Sequence, residues 1–231
     1  MDSFLAFEWL DYEGEHLEIP MGGVHLWLLD PSPIYERYLD SAELLRYERI
    51  LNPEVRASYS CAQGGLRRVA GIYMRRPAER VTMRRQARGK PYIEGAPEFN
   101  LSHTCGRTIA AFSLEAIGID VESGSRRVHA GELATRFFFP EETAQIMSVD
   151  EEERKLTFLR YWVCKEAMVK LSGDGIYHGL RYARVDLAAD GRSRGTYQGR
   201  NVSLWEFQPA GDLVAALASW EPVEAKGFFR I

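Results

Sequence analysis

Gly118-Ile119-Asp120-Val121-Glu122 is the stretch of sequence that carries the most information about this chain. A β-strand would place Ile119 and Val121 on one face and Asp120 and Glu122 on the other. The two carboxylates would then stand about 7 Å apart, near enough for both to reach one Mg²⁺ ion. We expect Asp120 to be an exposed carboxylate that matters little to packing. The alternative is an edge strand whose acidic face meets only water.

A strong amphipathic helix is predicted downstream, from Thr157 to Leu171, and Ser172-Gly173 closes it. Trp162, Glu166 and Lys170 are four residues apart, so they form one stripe on this helix. A surface Glu–Lys pair is the common explanation for such a stripe. If the stripe faces the acidic strand instead, it supplies a third ligand or a base, together with a cation for phosphate.

The flanking segments predict an α+β protein rather than a doubly wound sheet. Upstream we predict a strand at 22–30, helices at 43–50 and 54–73, and a strand at 81–86. Two further strands, 108–114 and 117–122, are separated by Glu115-Ala116 and predict a hairpin. Downstream we predict a short helix that begins at Pro140, then strands at 181–187, 201–207 and 213–220.

Composition limits the class of protein. The 231 residues correspond to about one and a half average domains, and 45% of them are apolar. No apolar run approaches the roughly 20 residues of a membrane-spanning helix, and the acidic N-terminal segment lacks the basic start of a signal peptide. Three cysteines without a CxxC pair argue against a disulfide framework. We therefore expect a cytoplasmic protein with no membrane partner.

Charge is distributed unevenly along the chain. The net charge of −4 argues against general nucleic-acid binding. Residues 67–90, however, contain nine basic side chains and the single acid Glu79, so this segment carries +8 and the rest of the chain −12. This pattern favours a confined phosphate site or an acidic partner. A solvated face of arginines is an equally weighted alternative.

Nucleophilic catalysis of the hydrolase type is disfavoured. Ser102 and His103 are adjacent, so in a strand they point to opposite faces and cannot pair as nucleophile and base. The residues around Ser102 do not form the G-x-S-x-G pattern of a nucleophile elbow. Cys105 and Cys164 read as packed thiols. In a loop, Ser102 and His103 would offer a hydroxyl and an imidazole to a phosphate or a base edge.

Five blocks, taken in order over residues 89–170, resemble the signature of the Sfp-type 4′-phosphopantetheinyl transferase superfamily. They are Gly89-Lys90-Pro91, Phe99–His103, Gly118–Glu122, Arg136-Phe137-Phe138 followed by Glu142, and Trp162–Lys170. One position departs from the pattern, because Gln63 stands where many relatives carry an arginine ahead of the basic segment.

The resemblance implies Mg²⁺-dependent transfer of 4′-phosphopantetheine from coenzyme A to a serine of an acyl or peptidyl carrier protein, with release of adenosine 3′,5′-bisphosphate. It also implies two similar α/β lobes related by a pseudo-twofold axis, in a monomer. We place an N-terminal lobe with the coenzyme A contacts at 1–108 and a C-terminal lobe with the metal and catalytic residues at 109–231.

By the same resemblance, Asp120, Glu122 and Glu166 are the expected Mg²⁺ ligands and Lys170 the pyrophosphate contact. Lys90, Ser102 and His103 are expected to contact the adenosine-phosphate end of coenzyme A. Glu166, Lys170 and Glu142 are the expected catalytic residues. The acceptor serine can lose its proton to Glu166, to Glu142 or to a water on the metal, and the sequence does not choose among them.

Two other functions use the same residues. One is a Mg²⁺-dependent hydrolase of a nucleotide pyrophosphate, with water as acceptor. The other is a catalytically silent module that binds coenzyme A or a carrier protein.

Overall fold

The computed structural model describes residues 8–14, 16–175 and 179–231. Its helices are α1 Ser41–Arg49, α2 Pro53–Ser60, α3 Leu66–Met74, α4 Ala130–Phe137, α5 Pro140–Ser148 and α6 Glu151–Ser172. Its strands are β1 Leu10–Asp11, β2 Gly23–Leu29, β3 Arg84–Arg85, β4 Pro91–Tyr92, β5 Glu98–Thr104, β6 Arg107–Ser113, β7 Ile117–Ser123, β8 Ala183–Asp186, β9 Arg194–Tyr197, β10 Arg200–Phe207, β11 Leu213–Ser219 and β12 Glu224–Arg230. The predicted α+β class is confirmed.

The chain divides into two compact units. The first comprises Glu8–Glu115 together with Glu224–Ile231. Its five-stranded sheet has the order β1-β12-β2-β6-β5, so the C-terminal strand lies between β1 and β2 and runs parallel to both. One face of this sheet buries Trp27, Phe99 and Phe112 against Leu66 and Val69 of α3. The last strand of the chain therefore completes the N-terminal core.

The predicted helix at 54–73 forms, but it contains a π-helical turn at Cys61–Gly65 between α2 and α3. Gly64 lies within this turn, and a Cβ on it would lie 2.2 Å from the carbonyl oxygen of Tyr35. A residue with a side chain would therefore clash with the backbone at this point. The predicted strand at 81–86 is limited to β3, which pairs with β4.

The Tyr73 hydroxyl joins two buried side chains of β2. It accepts a hydrogen bond from Trp27 Nε1 at 2.8 Å and lies 2.9 Å from His25 Nδ1. Indole nitrogen is only a donor, so the single hydroxyl proton is available to His25 Nδ1, which must be unprotonated to accept it. Burial accordingly lowers the pKa of His25 from 6.5 to about 4.

We expect this histidine to make stability depend on pH. The unfolded chain binds the proton near pH 6.5 and the folded chain only near pH 4, so His25's contribution is complete above pH 6.5 and lost as pH falls toward 4. The loss is on the order of 3 kcal/mol. Urea unfolding at pH 7 and pH 4.5 measures it, with His25→Asn as the control that accepts the same bond without titrating. Equal pH dependence of the two proteins would contradict the assignment.

The second unit contains Ala116–Val223. Its antiparallel sheet has the order β7-β11-β10-β9-β8, and the long helix α6 packs on one face. The core between them contains Phe158, Cys164 and Met168 of α6 and Leu204 and Ala216 of the sheet. Asp150 caps α6, because its side-chain carboxylate accepts a hydrogen bond from the backbone nitrogen of Glu153 at 2.9 Å.

The predicted hairpin around Glu115-Ala116 is wrong. β6 pairs with β2 and β5, whereas β7 pairs with β11 in the other sheet. The true hairpin joins β5 to β6 through Cys105 and Gly106, which have φ values of 47° and 74°. A two-residue hairpin turn needs such positive φ angles, and neither Glu115 nor Ala116 has one.

The two units differ from the ranges predicted from sequence, 1–108 and 109–231, since the division falls between Glu115 and Ala116 and residues 224–231 belong with the first unit. The division of labour between lobes and the pseudo-twofold axis stay predictions. Within the described part of the chain, none of the helices is both long and apolar enough to cross a bilayer.

Candidate active site

The predicted acidic strand and helix come together in the second unit. Gly118 is the point of closest approach, because a Cβ there would lie 2.0 Å from the carbonyl oxygen of Ala167 and 2.5 Å from the nitrogen of Leu171. Only glycine lets the backbones of β7 and α6 touch in this way. Gly118, Asp120 and Glu122 are two residues apart, so they lie on the same face of the strand. This face is directed toward the helix that carries Glu166 and Lys170.

We expect Gly118→Ala to separate β7 from α6. The added methyl group meets backbone rather than a movable side chain, so the cost is about 3 kcal/mol or more. Thermal unfolding should show the loss of stability, and any assay of the acidic site should lose activity as well. Gly131→Ala is the matched control, since its Cβ meets only the side chain of Met147, at 3.3 Å. A Gly118→Ala protein as stable as this control would refute the close-packing argument.

Asp120 is bound to the helix by Lys170. The ammonium of Lys170 lies 2.6 Å from Asp120 Oδ1, with side chains that are 22% and 5% exposed. The expectation of an exposed Asp120 is therefore wrong: the residue is 3% exposed, because the close contact at Gly118 draws its strand under α6. The lysine keeps the buried carboxylate paired with a cation.

Glu166 belongs to the same group of charges. It is 8% exposed. Burial first, and the negative charge of Asp120 second, raise its pKa to about 8, while the charge of Lys170 opposes the rise. Burial and Asp120 likewise raise the pKa of Glu122. The three predicted metal ligands are thus electrostatically coupled, as like charges confined to one site must be.

Glu122 forms an ion pair with Arg126, whose side chain is half exposed. Arg126 follows β7 on a turn fixed by Asp212. That carboxylate accepts hydrogen bonds from Ser123 Oγ at 2.9 Å and from the backbone nitrogen of Ser125 at 2.6 Å. The turn therefore holds the arginine beside the acidic strand.

The oxygen atoms of these three carboxylates are the type of ligand that Mg²⁺ prefers, and Mg²⁺ commonly binds phosphate-bearing substrates as well. Among the described residues, no three His, Cys, Asp or Glu side chains lie close enough together to hold a metal ion. Two of the carboxylates are turned onto cations, Asp120 onto Lys170 and Glu122 onto Arg126. The donor chemistry fits the metal, and these side chains would have to reorient to ligate it.

Glu142 lies in a different environment from the acidic cluster. Its carboxylate pairs with Lys165 at 2.7 Å, and the two side chains are 4% and 0% exposed. The same carboxylate accepts hydrogen bonds from the backbone nitrogens of Val185 at 2.8 Å and Phe139 at 2.9 Å. Lys165 also donates to the carbonyl of Ala183. This network joins α5, α6 and β8 inside the unit.

The predicted coenzyme A contacts belong to the first unit. Ser102 and His103 lie on β5, with Ser102 buried and His103 exposed, as expected for neighbours in a strand. Lys90 ends the turn between β3 and β4, where its carbonyl accepts a hydrogen bond from the nitrogen of Gln86 at 2.9 Å. Burial lowers the pKa of Lys90, and the charge of Glu98 opposes this.

The sequence did not reveal two charged contacts. The Arg126–Glu122 pair spans a turn. A spacing of four residues predicts a side-chain contact on a helix, but it does not predict one in a turn. Burial of Arg67, the first residue of the basic segment, was also missed. Its guanidinium pairs with Glu43 at 2.8 Å and donates to the carbonyl of Val81 at 3.1 Å. Arg67 therefore serves the core and is not available to an anion.

Comparison with known proteins shows which family of enzymes the chain resembles. The family model of the 4′-phosphopantetheinyl transferase superfamily matches residues 116–218. The chain is 32% identical over 216 residues to the 4′-phosphopantetheinyl transferase HetI of Nostoc sp., covering 86% of this chain and 90% of HetI. It is also 35% identical over 109 residues to Sfp of Bacillus subtilis, covering 46% and 48%.

A third relative, psf-1 of Bacillus pumilus, is 33% identical over 119 residues, covering 51% of this chain and 50% of psf-1. The chain belongs to the 4′-phosphopantetheinyl transferase superfamily. The family predicted from its five sequence blocks and the transferase class are confirmed.

Proposed function

We propose that this protein transfers the 4′-phosphopantetheine group of coenzyme A to a serine of an acyl or peptidyl carrier protein, with Mg²⁺ as cofactor. The observation that carries the proposal is the cluster of Asp120, Glu122 and Glu166 with Lys170 at the contact between β7 and α6. The relatives named as 4′-phosphopantetheinyl transferases support the same reaction.

The reaction breaks one bond of a pyrophosphate. The serine oxygen forms a new bond to phosphorus, the pyrophosphate P–O bond breaks, and adenosine 3′,5′-bisphosphate leaves with the electron pair. Negative charge grows on the leaving phosphate, so a positioned cation stabilises the transition state. We assign that task to Lys170, whose ammonium Asp120 orients at 2.6 Å.

A Mg²⁺ ion held by Asp120, Glu122 and Glu166 would supply further positive charge to the phosphates. The serine must also lose its proton to a base. Glu166 is the better candidate, because it belongs to the acidic cluster. Glu142 is committed elsewhere: its carboxylate is engaged by Lys165 and by two backbone nitrogens in a buried network.

Lys90, Ser102 and His103 are proposed to bind the adenosine-phosphate end of coenzyme A. A lysine, a hydroxyl and an imidazole are side chains that can donate hydrogen bonds to phosphate oxygens. Ser102 is buried, Lys90 is half-buried and His103 is exposed.

The proposal is tested by incubating the protein with coenzyme A, Mg²⁺ and an apo carrier protein and weighing the carrier. A mass gain equal to phosphopantetheine is the expected result. Cleavage of coenzyme A without a gain would identify a pyrophosphate hydrolase instead. If neither coenzyme A nor the carrier changes, the protein is a binding module without catalytic activity.

A further inference from the structure

Arg126 is the half-exposed partner of a carboxylate that is itself nearly buried. The side chain of Arg126 is 49% exposed and that of Glu122 14%. Asp212 fixes the turn on which Arg126 stands, and the nitrogen of Arg126 donates to the carbonyl of Ser123 at 3.1 Å. The backbone is therefore held in place, whereas the long side chain has solvent into which it can move.

The acidic cluster contains two cations that differ in how firmly they are held. Lys170 contacts Asp120 at 2.6 Å, and the two side chains are 22% and 5% exposed. Arg126 is more than twice as exposed as Lys170. Exposed ion pairs contribute little to stability, because water solvates the separated charges well. Of the two cations, Arg126 is the one that a competitor can displace.

A divalent cation would compete with Arg126 directly. Three carboxylates and two cationic side chains give the cluster a formal charge of −1, and a bound divalent ion would make it +1. Two cations sharing the carboxylate of Glu122 would repel each other at short range. A metal that takes Glu122 as a ligand therefore gains when the guanidinium leaves.

On the basis of the metal site proposed above, we propose that Arg126 is a displaceable counter-cation. It neutralises Glu122 in the arrangement described and swings into solvent when a divalent cation binds. The arginine thereby weakens the affinity of the cluster for the metal.

The test measures metal binding rather than catalysis. Mn²⁺ is titrated into the full-length wild-type protein, Arg126→Gln and Arg127→Gln, without coenzyme A or carrier, and bound Mn²⁺ is read from loss of the free-ion electron paramagnetic resonance signal. Arg127 is the matched control, because it is also exposed and has no ion pair within the described ranges. We expect Arg126→Gln to bind Mn²⁺ roughly 3- to 10-fold more tightly and Arg127→Gln to stay within about 2-fold of wild type.

Equal affinities for the three proteins, or weaker binding by Arg126→Gln, would overturn the proposal. Failure of the wild-type protein to bind Mn²⁺ would overturn it together with the metal site on which it rests. The carrier mass assay then reports separately whether transfer itself occurs.

Discussion

Glu166→Gln is expected to lower the rate of phosphopantetheine transfer by about 10³-fold, within the range seen when an acid–base or charge-stabilising group is removed. Glutamine keeps the size of the side chain but has no negative charge to hold a metal and cannot accept the serine proton. The rate is measured by the mass gain of the carrier under saturating coenzyme A.

Two further variants make the Glu166 result specific. Glu153→Gln removes an exposed carboxylate of the same helix and is expected to leave the rate unchanged. Glu166→Asp keeps the charge on a shorter side chain and is expected to recover part of the rate. If Glu166→Gln transfers as fast as the Glu153 variant, the acidic cluster is not the active site.

Lys165→Met is expected to cost about 3–5 kcal/mol of folding free energy, because it leaves the buried carboxylate of Glu142 without its cation. Thermal or denaturant unfolding measures the loss. Lys226→Met is the control, since Lys226 and its partner Glu224 are 44% and 73% exposed and such pairs contribute little.

The double variant Glu142→Gln/Lys165→Met separates stability from catalysis. It removes both charges, so we expect it to regain a large part of the stability lost by Lys165→Met. If Glu142 only joins α5, α6 and β8, the refolded double variant transfers phosphopantetheine. An inactive double variant of near wild-type stability would contradict a purely structural role for the Glu142–Lys165 pair.

The local chemistry of the site could be read from the sequence. Alternation along 118–122 placed Asp120 and Glu122 on one strand face, and helical spacing placed Glu166 and Lys170 on one stripe. Both patterns depend only on neighbouring residues. Periodicity could not show that the two faces meet, and only the resemblance to the family joined them into one site.

The errors concern interactions between residues far apart in the sequence. The sequence predicts an exposed Asp120, but the residue is buried because α6 crosses β7 at Gly118. The residues of α6 that make this contact lie some fifty positions further along the chain. The hairpin at Glu115-Ala116 was predicted because both flanking segments are strands. Local sequence did not reveal that they belong to different sheets. The insertion of β12 between β1 and β2 is likewise a long-range pairing.

The role of Glu142 shows the same limit. Its place in the motif after Arg136-Phe137-Phe138 favours a catalytic residue, and no local pattern indicates that its side chain is buried. The three groups that engage it come from Lys165, Val185 and Phe139. Only the folded unit brings these groups together.

We propose that Asp120, Glu122 and Glu166 form a metal site at the contact between β7 and α6. Anomalous diffraction from crystals grown with Mn²⁺ and coenzyme A tests it most directly. We predict one manganese peak ligated by these three carboxylates, with the guanidinium of Arg126 moved away from Glu122. A peak at other residues, or Glu122 still paired with Arg126 and no metal on the three carboxylates, would contradict the claim.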